Sequence, residues 1–304
     1  MTGGSVTGSS TTGSSVSDAL RVTTRTGGTN AGGSTGRPPT CPPTPGDLTA
    51  DSLSFAYPPR GFLRKSPGHA LQDITLRLSP GSSTALVGRS GSGKSTLVRI
   101  MLALTKPSSG TVSLGPRPVQ PGSARALRWY RRSVQYVPQN PAGSLDPRMT
   151  VAQLLTEPLR QLRVEGNHRM LVAQALERVE VAAALLDRRP GELSGGQNQR
   201  VAVARALVAS PSYLLADEPV SGLDLPLRDT VLALLDSLVR HDGLGLLLVT
   251  HDLATAARMC GTTAVLDDGR IVEHGPTHQV LKDPRNEATA ALLEASPDLL
   301  RTYA

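Results

Sequence analysis

The chain has 304 residues, enough for one domain of about 200–250 residues and further segments. Its hydrophobic content of 38% is ordinary for a soluble protein once the first 46 residues are set aside. Its net charge of +7 would suit an anionic partner, but the arginines are scattered and the densest cluster, 128–132, leads into an apolar run. We therefore interpret them mainly as solvated surface charges. Two cysteines argue against a disulfide framework. No apolar run approaches the roughly 20 residues of a membrane-spanning helix, which argues against an integral membrane protein.

The first part of the chain, residues 1–46, consists mostly of Gly, Ser, Thr and Pro. Such a composition buries too little apolar surface to offset the conformational entropy that is lost on ordering. We therefore predict a disordered tail over residues 1–46, a folded domain over 47–282 and a C-terminal helical extension over 283–304.

After this tail, short β-type runs alternate with helical segments. Strands are predicted over residues 53–57, 74–78, 83–87, 133–137, 213–216 and 246–249. Helices are predicted over 97–104 and 201–209, and the Ala/Leu/Arg-rich block 150–187 indicates an inserted helical region. Strands that alternate with helices favour an α/β fold with a mainly parallel sheet.

The strand over 83–87 runs into a glycine-rich loop. Residues 88–95 read GRSGSGKS and match the pattern G-x-x-x-x-G-K-[ST] between a strand and a helix. In such a loop the backbone amides and the helix N-terminus surround phosphate groups. Lys94 is predicted to reach the β- and γ-phosphates, and the Ser95 hydroxyl to ligate Mg²⁺. ATP and Mg²⁺ are thus the predicted ligands, and the predicted binding residues in this segment are Gly88, Ser90, Gly91, Gly93, Lys94, Ser95 and Thr96.

Two acidic residues, Asp217 and Glu218, directly follow the strand that is predicted over 213–216. Asp217 at the strand end can hold Mg²⁺ through water, and Glu218 is placed to act as the general base that activates the attacking water. Gln139 follows the strand over 133–137, where its amide could contact Mg²⁺ or that water. His251 follows the strand over 246–249, where it could bind the γ-phosphate and orient Glu218.

An aromatic residue stands upstream of the glycine-rich loop. Tyr57 offers a flat ring on which adenine could stack, a contact of about 1–3 kcal/mol by analogy with other base–aromatic contacts. Phe55 is interpreted as a core residue that faces the other way on the same strand.

Residues 193–197 read LSGGQ directly before a helical segment and offer a hydroxyl and backbone amides without any acid. Together with the preceding motifs they resemble the ATP-binding-cassette (ABC) ATPases over roughly residues 48–280, in the family's order: 88–95, Gln139, 193–197, Asp217 with Glu218, 221–224 and His251. The resemblance implies that LSGGQ contacts the γ-phosphate of ATP held by a second subunit in a head-to-tail dimer. The residues implied in nucleotide contact are Ser194, Gly195, Gly196, Gln197 and Asp224.

The resemblance also implies an architecture and partners. It implies a P-loop NTPase with a RecA-like core, an antiparallel β-subdomain near the N-terminus and a helical subdomain at about 141–195. A second ATPase subunit, identical or paralogous, and a separate membrane permease that docks beside Gln139 are the implied partners. No nucleic-acid partner is expected, and the implied location is the cytoplasmic face of the membrane.

Further segments resemble the importer ATPases for peptides and nickel, namely 138–141 (PQNP), 144–150 (SLDPRMT), 157–159 (EPL), 217–224, 269–273 and 275–277. Two differences qualify the match. The usual His-Pro-Tyr-Thr segment of that family is Asn-Glu-Ala-Thr here, at 286–289. The terminal cysteine cluster that some members use for an iron–sulfur centre is absent, so no iron–sulfur cluster is expected. A component of a soluble phosphonate-degrading complex and a non-transport ABC regulator remain alternatives.

Overall fold

The computed structural model describes residues 46–57, 69–296 and Leu299. All of them belong to one compact unit, Pro42–Ala304. The predicted tail, residues 1–46, lies outside the described residues except for Gly46. In the described part of the chain, no helix is both long and apolar enough to cross a membrane.

The strands follow one another with helices between most of them. In chain order the described strands are β1 (Leu48–Ala56), β2 (His69–Leu78), β3 (Ser83–Val87), β4 (Ser109–Leu114), β5 (Arg117–Val119), β6 (Val134–Val137), β7 (Tyr213–Asp217), β8 (Gly245–Thr250), β9 (Thr262–Asp267) and β10 (Arg270–Pro276). The described α-helices are α1 (Lys94–Met101), α2 (Arg128–Ser133), α3 (Val151–Gln161), α4 (His168–Arg178), α5 (Gly195–Leu207), α6 (Leu225–Asp242), α7 (Leu253–Met259), α8 (Thr277–Lys282) and α9 (Glu287–Glu294).

The central sheet has six strands in the order β10-β9-β3-β8-β7-β6, and every neighbouring pair is parallel except β9 with β10. The α/β fold with a mainly parallel sheet is thus confirmed. Since neighbouring parallel strands end at the same edge, the residues that follow β3, β6, β7 and β8 lie together. These are the glycine-rich loop, Gln139, Glu218 and His251.

The central sheet is buried on both faces, which explains its nearly continuous apolar strands. Leu214 and Leu246 pack into one core with helices α3, α5 and α6. Leu215 and Leu247, one residue further along, pack into a second core on the opposite face with α1. Successive residues of a strand point to opposite faces, so one short apolar run supplies both cores.

The second core is closed by a smaller antiparallel sheet with the strand order β2-β1-β4-β5. Leu53 of β1 and Ile74 of β2 are fully buried in this second core. An antiparallel sheet near the N-terminus was expected, but its strands β4 and β5 were not predicted. They are short and largely exposed, so their sequence lacks a clear apolar alternation.

Helices dominate the chain between β6 and β7. Helix α3 starts at a capping box in which Thr150 and Gln153 each accept the other's backbone N–H, at 3.3 and 2.9 Å. Helix α4 starts at Asn167, whose side chain accepts the N–H groups of Arg169 and Met170. Both helices fall inside the segment 141–195, and we propose that this segment forms a helical subdomain.

Several predicted boundaries were wrong by a few residues. The helix expected over 97–104 is Lys94–Met101, because the glycine-rich loop leads straight into the helix through Gly93. The strand expected over 133–137 begins at Val134, because Ser133 is the last residue of α2, a helix that was not predicted. Helix α9 lies within the predicted extension 283–304 and is capped by Asn286, whose side chain accepts the N–H of Ala288 at 2.9 Å.

Candidate nucleotide-binding and catalytic site

The glycine-rich loop between β3 and α1 is held so close to its neighbours that two of its positions have no room for a side chain. A Cβ atom on Gly88 would lie 2.1 Å from the carbonyl oxygen of Leu266, and one on Gly93 would lie 2.6 Å from that of Ala70. Gly93 also has a φ of +110°, in the region that favours glycine. These positions require glycine for backbone packing, which leaves the loop amides free to face the site.

We expect the substitution Gly93→Ala to destabilise the fold more than Gly91→Ala. Both glycines have positive φ, but no atom lies within 4 Å of a Cβ on Gly91. Gly91→Ala should therefore lower the free energy of unfolding by about 1–2 kcal/mol, the cost of a left-handed residue. Gly93→Ala should lower it by about a further 1–3 kcal/mol through overpacking. Urea unfolding of both variants measures the difference, and equal values would contradict this account of the loop.

Lys94, the first residue of α1, folds back over the loop. Its amine donates to the carbonyl oxygens of Gly88 and Arg89 at 2.7 and 2.9 Å. Burial lowers the pKa of Lys94, while the charges of Glu218 and Asp217 act in the opposite direction. A half-buried cation whose nearest oxygens are neutral carbonyls is well suited to receive an anionic group.

Asp217, the last residue of β7, receives a hydrogen bond from a residue that sequence reasoning missed. The Tyr136 hydroxyl donates to its Oδ2 at 3.3 Å. Burial raises the pKa of Asp217, and the Tyr136 hydroxyl lowers it. Burial, with the charge of Asp217, raises the pKa of Tyr136 to about 12, so this hydroxyl remains a donor at neutral pH.

Glu218 is fixed by hydrogen bonds to both of its carboxylate oxygens. Oε2 accepts the Gln139 amide at 2.9 Å, and Oε1 lies 2.9 Å from Nδ1 of His251. Its backbone has a φ of +46° and its N–H donates to the Val249 carbonyl at 2.8 Å. A non-glycine residue in this region costs about 1–3 kcal/mol and marks a position where the surrounding structure imposes the conformation. Gln139, Glu218 and His251 therefore form one unit, although they come from three strands.

Tyr57 covers one side of the loop. Its hydroxyl hydrogen-bonds the Thr96 hydroxyl at 2.9 Å, and its side chain remains 48% exposed. Its ring meets that of Phe55 edge-to-face, with centroids 5.0 Å apart. Phe55 is buried as expected, but the prediction that it faces away from Tyr57 was wrong, because the two rings are in contact.

These side chains line one cavity of about 750 Å³. All of its lining residues except Ala70 were predicted from the sequence: Tyr57, Ser90, Gly91, Gly93, Lys94, Ser95, Thr96, Gln139, Asp217, Glu218 and His251. Ser95, Gln139 and Asp217 supply hydroxyl, amide and carboxylate oxygens on its wall, the hard donors that Mg²⁺ prefers. The cavity thus fits a nucleotide with its metal.

LSGGQ lies outside this cavity, at the start of α5. Ser194 and Gln197 form a capping box: the Ser194 hydroxyl accepts the Gln197 N–H at 3.2 Å, and the Gln197 side chain accepts the Ser194 N–H at 2.9 Å. Since the hydroxyl accepts here, its own proton can be donated to a ligand. A Cβ on Gly196 would lie 2.8 Å from a Leu227 methyl, so this glycine permits close packing against α6, whereas Gly195 faces open space.

Asp224 also lies outside the cavity. Its carboxylate caps helix α6 by accepting the N–H of Leu227 at 3.2 Å. Within a single chain, therefore, neither Asp224 nor the LSGGQ residues line the nucleotide cavity. Their predicted contact with nucleotide remains a prediction that requires a second subunit.

The parallel sheet, the glycine-rich loop and the two acids at the end of β7 define a P-loop NTPase. A family model described as ABC transporter matches residues 71–221. The nickel import ATP-binding protein NikE of Rhodospirillum rubrum is 41% identical over 256 residues, which cover 82% of this chain and 92% of that protein. NikE of Escherichia coli is 39% identical over 229 residues, which cover 74% of this chain and 85% of that protein.

Solved structures agree with this match. The dimeric structure of the bacterial ABC transporter cassette MJ0796 has a TM-score of 0.66 at 29% identity and covers 76% of this chain and 98% of that one. CbiO1 from Clostridium perfringens, part of the transporter complex cbiONQ, has a TM-score of 0.68 at 27% identity and covers 84% of this chain and 97% of that one. The chain belongs to the ATPases of the ABC transporter family. It binds ATP and hydrolyses it in support of transport.

Proposed function

We propose that this chain is the ATP-hydrolysing subunit of an importer, that its cargo is of the nickel or peptide class, and that a separate membrane permease carries the cargo. The observation that carries the proposal is the 41% identity to a nickel import ATP-binding protein across 92% of that protein's length. The segments at 138–150 and 217–224 that resemble this importer family support the same assignment.

In the proposed reaction, Glu218 takes the proton of a water molecule as its oxygen attacks the γ-phosphorus, and the bond to the β–γ bridging oxygen breaks to leave ADP and phosphate. Gln139 and His251, at 2.9 Å on either carboxylate oxygen, keep Glu218 in one orientation. Lys94 and the loop amides hold the phosphates. Ser95, Asp217 and Gln139 would hold Mg²⁺, which, when bound, offsets the charge of the phosphate oxygens.

The proposed assembly is a head-to-tail dimer in which the LSGGQ segment of each subunit closes the nucleotide site of the other. The position of Ser194 and Asp224 outside the cavity of their own chain supports this arrangement. The dimeric structures of MJ0796, one of them bound to ADP and Pi, show that a relative assembles as a dimer.

A groove of about 490 Å³ lies beside Gln139 and is the proposed docking site for the permease, on the cytoplasmic face of the membrane. Leu102 and Leu104, just after α1, line it together with Gln139, and Leu104 is 60% exposed. An exposed leucine in a groove that also holds a catalytic-site residue suits a partner that must sense the nucleotide.

Affinity purification of the tagged chain from detergent-solubilised native cells tests this proposal. We expect multi-span permease subunits to co-purify, and we expect a strain that lacks the chain to take up less radioactive nickel or less labelled peptide. Re-expression of the natural chain should restore uptake, and re-expression of Glu218→Gln should not. Co-purification of soluble phosphonate-degrading enzymes or of nucleic acid, with normal uptake, would overturn the importer assignment and favour one of the two alternatives.

A further inference from the structure

A second concavity, of about 670 Å³, shares no lining residue with the nucleotide cavity. We call it the arginine pocket, after the residues that line it together with Trp129: Arg117, Arg125, Arg128, Arg132 and Arg163. Strand β5, the segment between β5 and α2, helix α2 itself and the turn after α3 contribute these residues. The cluster at 128–132 is therefore part of a larger basic site assembled from distant parts of the chain.

No acidic side chain among the described residues neutralises these five guanidinium groups. In the described part of the chain, none of them has a carboxylate oxygen within 4.0 Å. Seven arginines elsewhere do have such a partner: Arg77, Arg178, Arg188, Arg200, Arg228, Arg240 and Arg258. Charges of one sign that share a concave surface repel each other, and an anion that enters the pocket relieves this repulsion.

Two of the five groups are already held in place. The Arg117 guanidinium lies over the Trp129 ring, 3.8 Å from its centroid. Arg128 donates through Nε to the carbonyl oxygen of Gln161 at 3.2 Å. These contacts leave the outer N–H groups available and reduce the side-chain entropy that binding would cost.

We propose that the arginine pocket binds a compact anion with two or more phosphate groups. The guanidinium fork matches the oxygens of a phosphate in a bidentate manner, and five positive charges suit a ligand with more than one negative group. Carboxylate groups would match the guanidinium fork equally well. A small ligand, however, carries more negative charge in the same volume when its anionic groups are phosphates rather than carboxylates.

Two sources could supply this chemistry, a free polyphosphate or the diphosphate headgroup of a lipid such as cardiolipin. The location is compatible with a membrane surface. The hydroxyl of Tyr130 in α2 donates to the carbonyl oxygen of Met101 at the end of α1, next to Leu102 and Leu104 of the proposed permease groove. The lipid source rests on the proposed permease groove, whereas the binding of an anion with several phosphate groups does not.

The test uses the full chain with Lys94→Ala, which weakens phosphate binding at the glycine-rich loop. Binding of inorganic tripolyphosphate is measured by calorimetry without Mg²⁺, and binding to phosphatidylcholine vesicles with and without cardiolipin by co-sedimentation. The pocket variant carries Arg125→Gln and Arg163→Gln. The control carries Arg148→Gln and Arg169→Gln, which remove the same charge from exposed arginines outside the pocket.

We expect the pocket variant to lose at least about tenfold in affinity, equivalent to about 1.4 kcal/mol, for at least one of the two ligands, while the control stays within about twofold. A selective loss for tripolyphosphate identifies a free phosphate ligand, and a selective loss for cardiolipin vesicles identifies a lipid headgroup. Equal losses in both variants, or no binding of either ligand by the parent chain, would overturn the proposal. When the two pocket substitutions are made in the natural chain, with Lys94 retained, unaltered ATPase activity shows that the pocket variant is folded.

Discussion

Replacing Glu218 with glutamine should lower the rate of ATP hydrolysis by about 10²–10⁴-fold, the usual contribution of a general base. Glutamine has the same shape and can still accept the Gln139 amide, so the pocket geometry should survive the change. What is lost is the ability to take a proton from water. Affinity for ATP should therefore remain close to that of the natural chain.

Steady-state release of phosphate measures the expected loss, and a fluorescent ATP analogue measures binding. Because ATP then persists, we also expect Glu218→Gln to accumulate as a dimer with ATP in size-exclusion chromatography. Glu177→Gln, on the exposed face of α4, removes one carboxylate away from the site and should leave turnover unchanged. Natural turnover in the Glu218 variant would exclude Glu218 as the base.

The order of motifs along the chain made much of this site predictable, for a geometric reason. Gln139, Glu218 and His251 each follow a strand, and parallel strands end at one edge, so adjacency on the sheet follows from the fold class. The glycine-rich loop is predictable because all its contacts with phosphate come from one short segment. His251 was expected to orient Glu218, but the pattern does not contain the hydrogen bond from Gln139 to the other carboxylate oxygen.

Two features that depend on residues far apart in the chain were missed. Tyr136 lies in a predicted strand, but its partner Asp217 is 81 residues away, and nothing in the sequence near either residue indicates the contact. The arginine pocket brings Arg117 and Arg163 together where α2 contacts the end of α3, and α2 was not predicted because its Arg-rich sequence has no apolar periodicity. Scattered charges in a sequence can thus converge on one surface.

Replacing Ser194 with arginine should lower turnover by about 10- to 100-fold without weakening the binding of a fluorescent ATP analogue to the monomer. The hydroxyl would give up a hydrogen bond to a charged phosphate, which contributes about 1.5–3 kcal/mol, and each 1.36 kcal/mol is tenfold in rate. The monomer should bind ATP normally because Ser194 does not line the cavity of its own chain.

The change also removes the cap of α5, which costs about 0.5–2 kcal/mol of stability. Asn167→Arg is the control, since the Asn167 side chain caps α4 and lies outside the glycine-rich loop and the LSGGQ segment. It should lose similar stability and keep its turnover. A loss of monomer affinity in the Ser194 variant would show that LSGGQ acts on the nucleotide of its own chain.

Mixing two variants of low activity distinguishes an LSGGQ segment that acts across the dimer from one that acts within its own chain. In a heterodimer of Ser194→Arg with Lys94→Ala, one nucleotide site joins an intact P-loop to an intact LSGGQ segment, while the other site carries both defects. If LSGGQ acts across the dimer, the mixture should hydrolyse ATP faster than the sum of the two variants alone. If each chain completed its own site, every site in the mixture would carry one defect, and turnover would not exceed that sum.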